Sequence, residues 1–129
     1  MASFDRVSTI LAAPAAGPYS QAVKIPLSSG WIFTSGQLPA QANGNLNLDD
    51  PIGEQTRRCI KNLASILEAA GSSLDKVVKT TIFITDMKNF AEVNDVYMQY
   101  FTQKPARSCV AVKELPKGVP VEIECIALV

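Results

Sequence analysis

Arg107 and Cys109, two residues apart, and Glu122 and Glu124, also two apart, stand in the two apolar stretches that close this chain. The first reads Pro105-Ala106-Arg107-Ser108-Cys109-Val110-Ala111-Val112. A turn, Leu115-Pro116-Lys117-Gly118, leads to the second, Val121-Glu122-Ile123-Glu124. Charges on apolar strands are costly to desolvate unless they are paired or used. The chain contains no histidine, so any chemistry must run without imidazole. These residue types propose a fixed guanidinium that grips an anion, and a carboxylate that handles a proton along a short water path. The plain alternative is an internal ion pair of Arg107 with Glu122 or Glu124, and the residues alone favour it.

The totals narrow the field. A length of 129 residues suits one domain over 1–129, burying about two-thirds of the unfolded chain's surface. Twelve basic and twelve acidic residues cancel. There is no global field to draw in nucleic acid or an anionic membrane, and little charge to oppose self-association. Cys59, Cys109 and Cys125 are widely spaced, an odd set that speaks against a disulfide framework. Each lies in an apolar run, as a small hydrophobe does in a reducing compartment. Without histidine or a close cysteine pair, no zinc site is expected. No apolar run has membrane-spanning length. The first twelve residues do not read as a secretory signal, and Ala2 to Leu11 makes a poor mitochondrial presequence. The expectation is a cytoplasmic protein, with the mitochondrial matrix as the alternative.

The elements that must carry these residues can be read from periodicity. Val7 to Leu11 reads as a short first strand, Ala12 to Gly17 as a loop, Tyr19 to Ile25 as extended chain and Pro26 to Gly30 as a turn. Trp31 to Ser35 is a strand closed by Gly36, and Gln37 to Leu48 is polar with a turn at Asn43-Gly44. Asp50-Pro51 opens a helix, with the aspartate as cap; Ile52, Cys59, Ile60, Leu63, Ile66, Leu67 and Ala70 form its stripe and Gly71 ends it. Val77 to Ile84 is a central strand. Asp86 caps a second helix, whose stripe is Phe90, Val93, Asn94, Tyr97 and Phe101. Ser108 to Val112 and Val119 to Leu128 complete an α+β order: one six-stranded mixed sheet with both helices on one face. The other face would be bare and apolar, which implies an oligomer closed through it.

The chain resembles the RidA (YjgF) family of reactive intermediate deaminases over nearly its whole length. The matching motifs are Gly17-Pro18-Tyr19-Ser20-Gln21, Thr34-Ser35-Gly36-Gln37-Leu38-Pro39, Val78-Lys79-Thr80-Thr81-Ile82-Phe83, Phe90-Ala91-Glu92-Val93-Asn94 and Pro105-Ala106-Arg107-Ser108-Cys109, with Glu122-Ile123-Glu124 in the last strand. The resemblance implies a chorismate-mutase-like homotrimer, sheets inward, with clefts between neighbouring subunits. It implies hydrolysis of 2-imino acids or their enamine tautomers, such as 2-iminobutanoate and 2-iminopropanoate, to 2-keto acids and ammonia, without a cofactor. Those compounds leave pyridoxal-phosphate dehydratases, a functional link that requires no stable complex. The alternatives are an endoribonuclease or translation inhibitor, and a non-catalytic chaperone-like or metabolite-binding trimer. The link Thr102-Gln103-Lys104 is shorter than in several members, which bears on side-chain preference.

Carried residue by residue, the resemblance makes Arg107 the grip on the substrate carboxylate. Glu122 becomes the group that holds the attacking water and moves a proton as nitrogen leaves, with Glu124 structural. Cys109 acts through its backbone N–H and C=O, since a thiolate has no base here. Tyr19, from the neighbouring subunit, walls the cleft. Ser35 and Gly36 either let the backbone approach a ligand or make a plain turn, and Asn94 either hydrogen-bonds near the cleft or satisfies a buried loop. Cys59 and Cys125 are core, and neither metal nor nucleic acid is expected.

Overall fold

The computed structural model describes residues 4–11, 14, 18–25 and 30–129. Its strands are β1 (Asp5–Val7), β2 (Ala22–Lys24), β3 (Trp31–Phe33), β4 (Val77–Ile84), β5 (Ala106–Ala111) and β6 (Val121–Leu128). Its helices are α1 (Ile52–Ala69) and α2 (Phe90–Tyr100). Most of the loop expected over 12–17 and of the turn expected over 26–30 lies outside the described residues. No described helix is long and apolar enough to cross a membrane.

Six strands form, but not one sheet. The main sheet has four, in the order β3-β6-β4-β5, and β1 and β2 make a separate antiparallel pair. The reason is packing. Phe4, Val23 and Ile25 pack with Val78, Ile126 and Leu128 in a small second cluster. The hairpin therefore covers one end of a sheet face instead of lengthening an edge. The first strand also ends earlier than expected. Gln21 Oε1 accepts from the Thr9 N–H at 2.6 Å, its Nε2 donates to the Thr9 carbonyl at 3.1 Å, and the Leu11 N–H donates to the Thr9 hydroxyl. Side chains thus satisfy backbone groups that a ladder would have used.

β4 and β6 form the middle of the main sheet, antiparallel, with Ile82 opposite Ile123. β5 runs parallel to β4, and α2 makes the crossover between them. Both helices cover one face. There Ile82, Ile84, Val121, Ile123 and Ala127 meet Cys59, Ile60, Leu63, Leu67, Val93 and Tyr97, all wholly buried. Of the first stripe Cys59, Ile60, Leu63 and Leu67 are buried, Ile52 is partly buried and Ile66 and Ala70 are exposed; of the second Val93, Tyr97 and Phe101 are buried and Phe90 and Asn94 partly so; Cys59 and Cys125 are core residues. α1 stops as expected. Gly71 adopts φ +83°, and Ser72 N–H reaches back to the Leu67 carbonyl at 2.8 Å. Its start differs: Pro51 occupies the cap position, and the Asp50 carboxylate is drawn to Arg58. Asp86 caps a short 3-10 turn, accepting from Lys88 N–H at 2.9 Å, and α2 follows at Phe90.

The opposite face is largely open. Trp31 and Phe33 are 51% and 68% exposed, their rings stacked 6.1 Å apart, and Val110 is exposed at the far edge.

Burial on the helix side raises the ionisations of Cys59, Cys125 and Tyr97. The Cys125 thiol is pushed from 9.0 to about 11, and the Tyr97 phenol from 10.0 to about 12, chiefly by desolvation. Each group then favours the fold only while protonated, so its contribution is complete below the unfolded value and is lost as pH climbs through the folded one. Denaturant midpoints should hold steady up to about pH 8.5 and fall steadily from about pH 9 to 12. A flat profile across that range would contradict the burial of these groups.

Candidate functional site

The start of β5 is stitched down from both sides. Gln103 Nε2 donates to the Leu74 and Val77 carbonyls at 2.7 and 3.2 Å, anchoring the short link before the strand. Ser20 donates its hydroxyl to the Lys104 carbonyl at 2.6 Å, and Arg6 Nε donates to the Gln103 carbonyl. These bonds seat Tyr19 beside the first residues of β5.

Register decides where the functional side chains point. Arg107 lies opposite Thr80, and Cys109 opposite Ile82, both of which face the helices. In-register neighbours on parallel strands point to the same side, so Arg107 and Cys109 share the helix face. α2 meets Arg107 with its polar stripe residue: Asn94 Oδ1 accepts from Arg107 Nη1 at 2.6 Å. Three rings surround the guanidinium carbon, Tyr97 at 4.9 Å, Phe90 at 5.7 Å and Tyr19 at 5.8 Å. Among the described residues no carboxylate is in salt-bridge contact with Arg107. The internal ion pair with Glu122 or Glu124 is therefore not formed within the chain. Tyr19, Phe90, Arg107, Ser108, Cys109 and Val110 line a cleft of about 370 Å³, within the ordinary range for small-molecule sites.

β5 is an edge strand, and half of its backbone is unpaired by other strands. Val112 N–H donates to the Ile84 carbonyl at 2.8 Å, which sets the alternation. Residues of the other parity, Arg107 and Cys109, turn their N–H and C=O toward the free edge. The Cys109 main chain is thus available to a guest. Its thiol is not suited to attack: partial burial raises its pKa, against a smaller lowering by Arg107.

Glu122, Ser35 and Gly36 form a second group. Glu122 and Glu124 lie opposite Phe83 and Thr81, so both face away from the helices. The β3–β6 ladder is interrupted beside them. Thr34 N–H donates to the Cys125 carbonyl at 3.0 Å, and Gln37 N–H to the Ile123 carbonyl at 2.8 Å. Ser35 and Gly36 together therefore oppose the single residue Glu124, a bulge. A Cβ on Gly36 would come within 2.7 Å of Glu122 Cδ, so glycine there lets the carboxylate lie against the backbone. The expected proximity of guanidinium and carboxylate does not occur within one chain. Alternating side chains put Arg107 and Glu122 on opposite faces, two strands apart. Tyr19, Asn94, Arg107 and Cys109 come together; Ser35, Gly36 and Glu122 come together elsewhere. Tyr19 reaches Arg107 from its own chain, where a neighbouring subunit was expected to supply it.

Phe90 and Tyr97 were read as core and escaped notice as part of the site. The signal was their spacing: a helix face that brings Asn94 to Arg107 must also bring residues four before and three after it. Among the described residues, no group of three or more Cys, Asp or Glu side chains gathers as metal ligands.

A family model described as Endoribonuclease L-PSP matches residues 9–129. Protein mmf1, mitochondrial, of Schizosaccharomyces pombe is 53% identical over 117 residues, 88% of this chain and 69% of that protein. A crystal structure of E. coli TdcF with bound serine has a TM-score of 0.72 at 39% identity, covering 97% of this chain and 98% of that one. A crystal structure of YyfA from Yersinia pestis, of the conserved Rid protein family, has a TM-score of 0.73 at 46% identity, covering 98% and 99%.

The state of Cys109 can be checked directly. Alkylation by iodoacetamide at pH 8 should proceed at least about tenfold more slowly than for an unstructured cysteine peptide, because little thiolate is present. Labelling at the peptide rate, mapped to Cys109 in folded protein, would show an activated thiol instead.

Proposed function

The chain belongs to the endoribonuclease L-PSP family, which includes Rid and RutC proteins, and on that premise we propose that it hydrolyses reactive 2-imino acids to 2-keto acids and ammonia. The observation that supports this most is the state of Arg107: a half-buried guanidinium at a cleft, braced by Asn94 and aromatic rings, with no carboxylate partner among the described residues. Asn94 occupies Nη1, which leaves the Nε–Nη2 edge for a planar carboxylate in two parallel bonds. The serine bound to TdcF is a small molecule of the same pattern, a carboxylate next to a nitrogen-bearing carbon.

In this reading the substrate carboxylate sits on Arg107 and on the Cys109 backbone N–H. Water adds to the C=N carbon, forming a carbinolamine; a carboxylate accepts the water proton and returns it to nitrogen. The carboxylate then carries the carbinolamine hydroxyl proton to the amine, and the C–N bond breaks with its electron pair leaving on nitrogen, releasing ammonia as the carbonyl of the keto acid forms. 2-Iminobutanoate and 2-iminopropanoate are the substrates this predicts, and orientation of the water against the imine is the main source of acceleration. Since Glu122 and Arg107 of one chain face apart, the proton carrier in each cleft is Glu122 of the partner subunit. The bare sheet face with Trp31, Phe33 and Val110 supports such self-association, here into a homotrimer. Pyridoxal-phosphate dehydratases supply the substrate without a stable complex. The mitochondrial name of the mmf1 relative supports the matrix over the cytoplasm.

The family description favours one rival, ribonuclease action. Against it stand the absence of histidine and the balanced charge, which leave neither an imidazole pair nor a basic track for RNA.

The deciding assay generates 2-iminobutanoate with threonine dehydratase and follows 2-ketobutanoate. Parent protein should exceed the spontaneous rate. Arg107→Ala should lose on the order of 100-fold in kcat/KM, from two charge-assisted hydrogen bonds. Glu122→Gln should lower kcat by about 100-fold with little change in KM. No acceleration by the parent would falsify the deaminase reading. RNA cleavage that persists in Arg107→Ala through repeated purification would favour the nuclease.

A further inference from the structure

The ring nearest the Arg107 guanidinium is shut away from solvent. Tyr97 is wholly buried on α2, and its hydroxyl shares a 2.8 Å hydrogen bond with the Thr80 hydroxyl, itself wholly buried on β4. Thr80 is the register partner of Arg107 on the neighbouring strand. One end of the Tyr97 ring is therefore fixed to β4 directly beside the arginine. Phe101 packs on the same ring at 4.5 Å between centroids, with planes 28° apart. The Arg107 guanidinium carbon lies 4.9 Å from the ring centroid, nearer than to Phe90 or Tyr19. Both of those rings line the cleft, whereas Tyr97 lies below it. The planes and the hydroxyl bond leave Tyr97 little freedom to turn.

We propose that Tyr97, locked by Thr80, is the positioning residue for Arg107, its ring supporting the guanidinium so that the edge not held by Asn94 faces the cleft. The inference rests on the reading of Arg107 as the carboxylate grip. Its physical basis is that a cation over a desolvated aromatic ring is held more strongly than one in water, and along a defined direction. An arginine held by Asn94 alone could pivot about that bond.

The test titrates 2-ketobutanoate, the product carboxylate, into folded protein by calorimetry and measures thermal stability in parallel. Tyr97→Leu, which keeps an apolar side chain but removes the ring, should weaken binding by about tenfold. Its KM should rise while kcat changes much less. Tyr97→Phe restores the ring and should recover most of that affinity, although the Thr80 hydroxyl loses its partner and the melting temperature falls. Ile60→Val, a core change on α1 away from the cleft, lowers stability without altering affinity; it separates loss of support from general loosening. Parental affinity in Tyr97→Leu overturns the proposal, as does Tyr97→Phe binding as poorly as Tyr97→Leu. Failure of the parent protein to bind 2-ketobutanoate overturns the carboxylate-grip reading, and this inference with it.

Discussion

A permanent positive charge held partly out of water, with no negative partner among the described residues, is the constraint around which this structure is arranged. Arginine does not relieve such a burden by losing its proton. The fold must brace it by other means, and it does so with one amide oxygen and aromatic faces. Three of the four braces come from α2, and Tyr19 comes from the segment before β2. The parallel pairing of β4 and β5 sets the direction of Arg107, the crossover helix supplies Asn94, Phe90 and Tyr97, and the bonds to Gln103 and Lys104 bring Tyr19 alongside. The stripe that buries α2 thus also holds the guanidinium, because the helix spends its inward face on both tasks.

The parts of this architecture with long, regular patterns were legible in the sequence. α1 and α2 carry helical spacing over several turns, and β4 and β6 alternate or run apolar for eight residues each. The hairpin was less legible. β1, β2 and β3 have three residues each, too few for a period to register, and their placement depends on distant contacts such as Phe4 with Val78 and Leu128. Asp50 looked like a cap, but Arg58 two turns along offers it a stronger, charged partner.

The candidate residues were identifiable by type, while their grouping was not. Parity alone carried part of the answer. Val121, Ile123 and Cys125 are apolar and must face the helices, so Glu122 and Glu124 must face away. The facing of Arg107 needs the register of β5 on β4, which no local pattern encodes. The consequence is a chain whose candidate residues form two groups on opposite sides of one sheet. The bulge at Ser35 and Gly36 gives the group with the carboxylate its own shaped seat, just as the aromatic rings shape the group with the cation.

The outward-turned peptide groups of β5 carry a lesson about durability. A row of unpaired strand amides is ordinarily a hazard, inviting other chains to add themselves and aggregate. Here part of that row fronts a recess partly screened by Tyr19. A contact built from main-chain atoms at position 109 is indifferent to most substitutions there. Proline, which has no N–H to offer, is the residue that would erase it outright. On the proposed reading, drift in the side chain at that position would leave the contact unchanged, and only the backbone N–H would matter there.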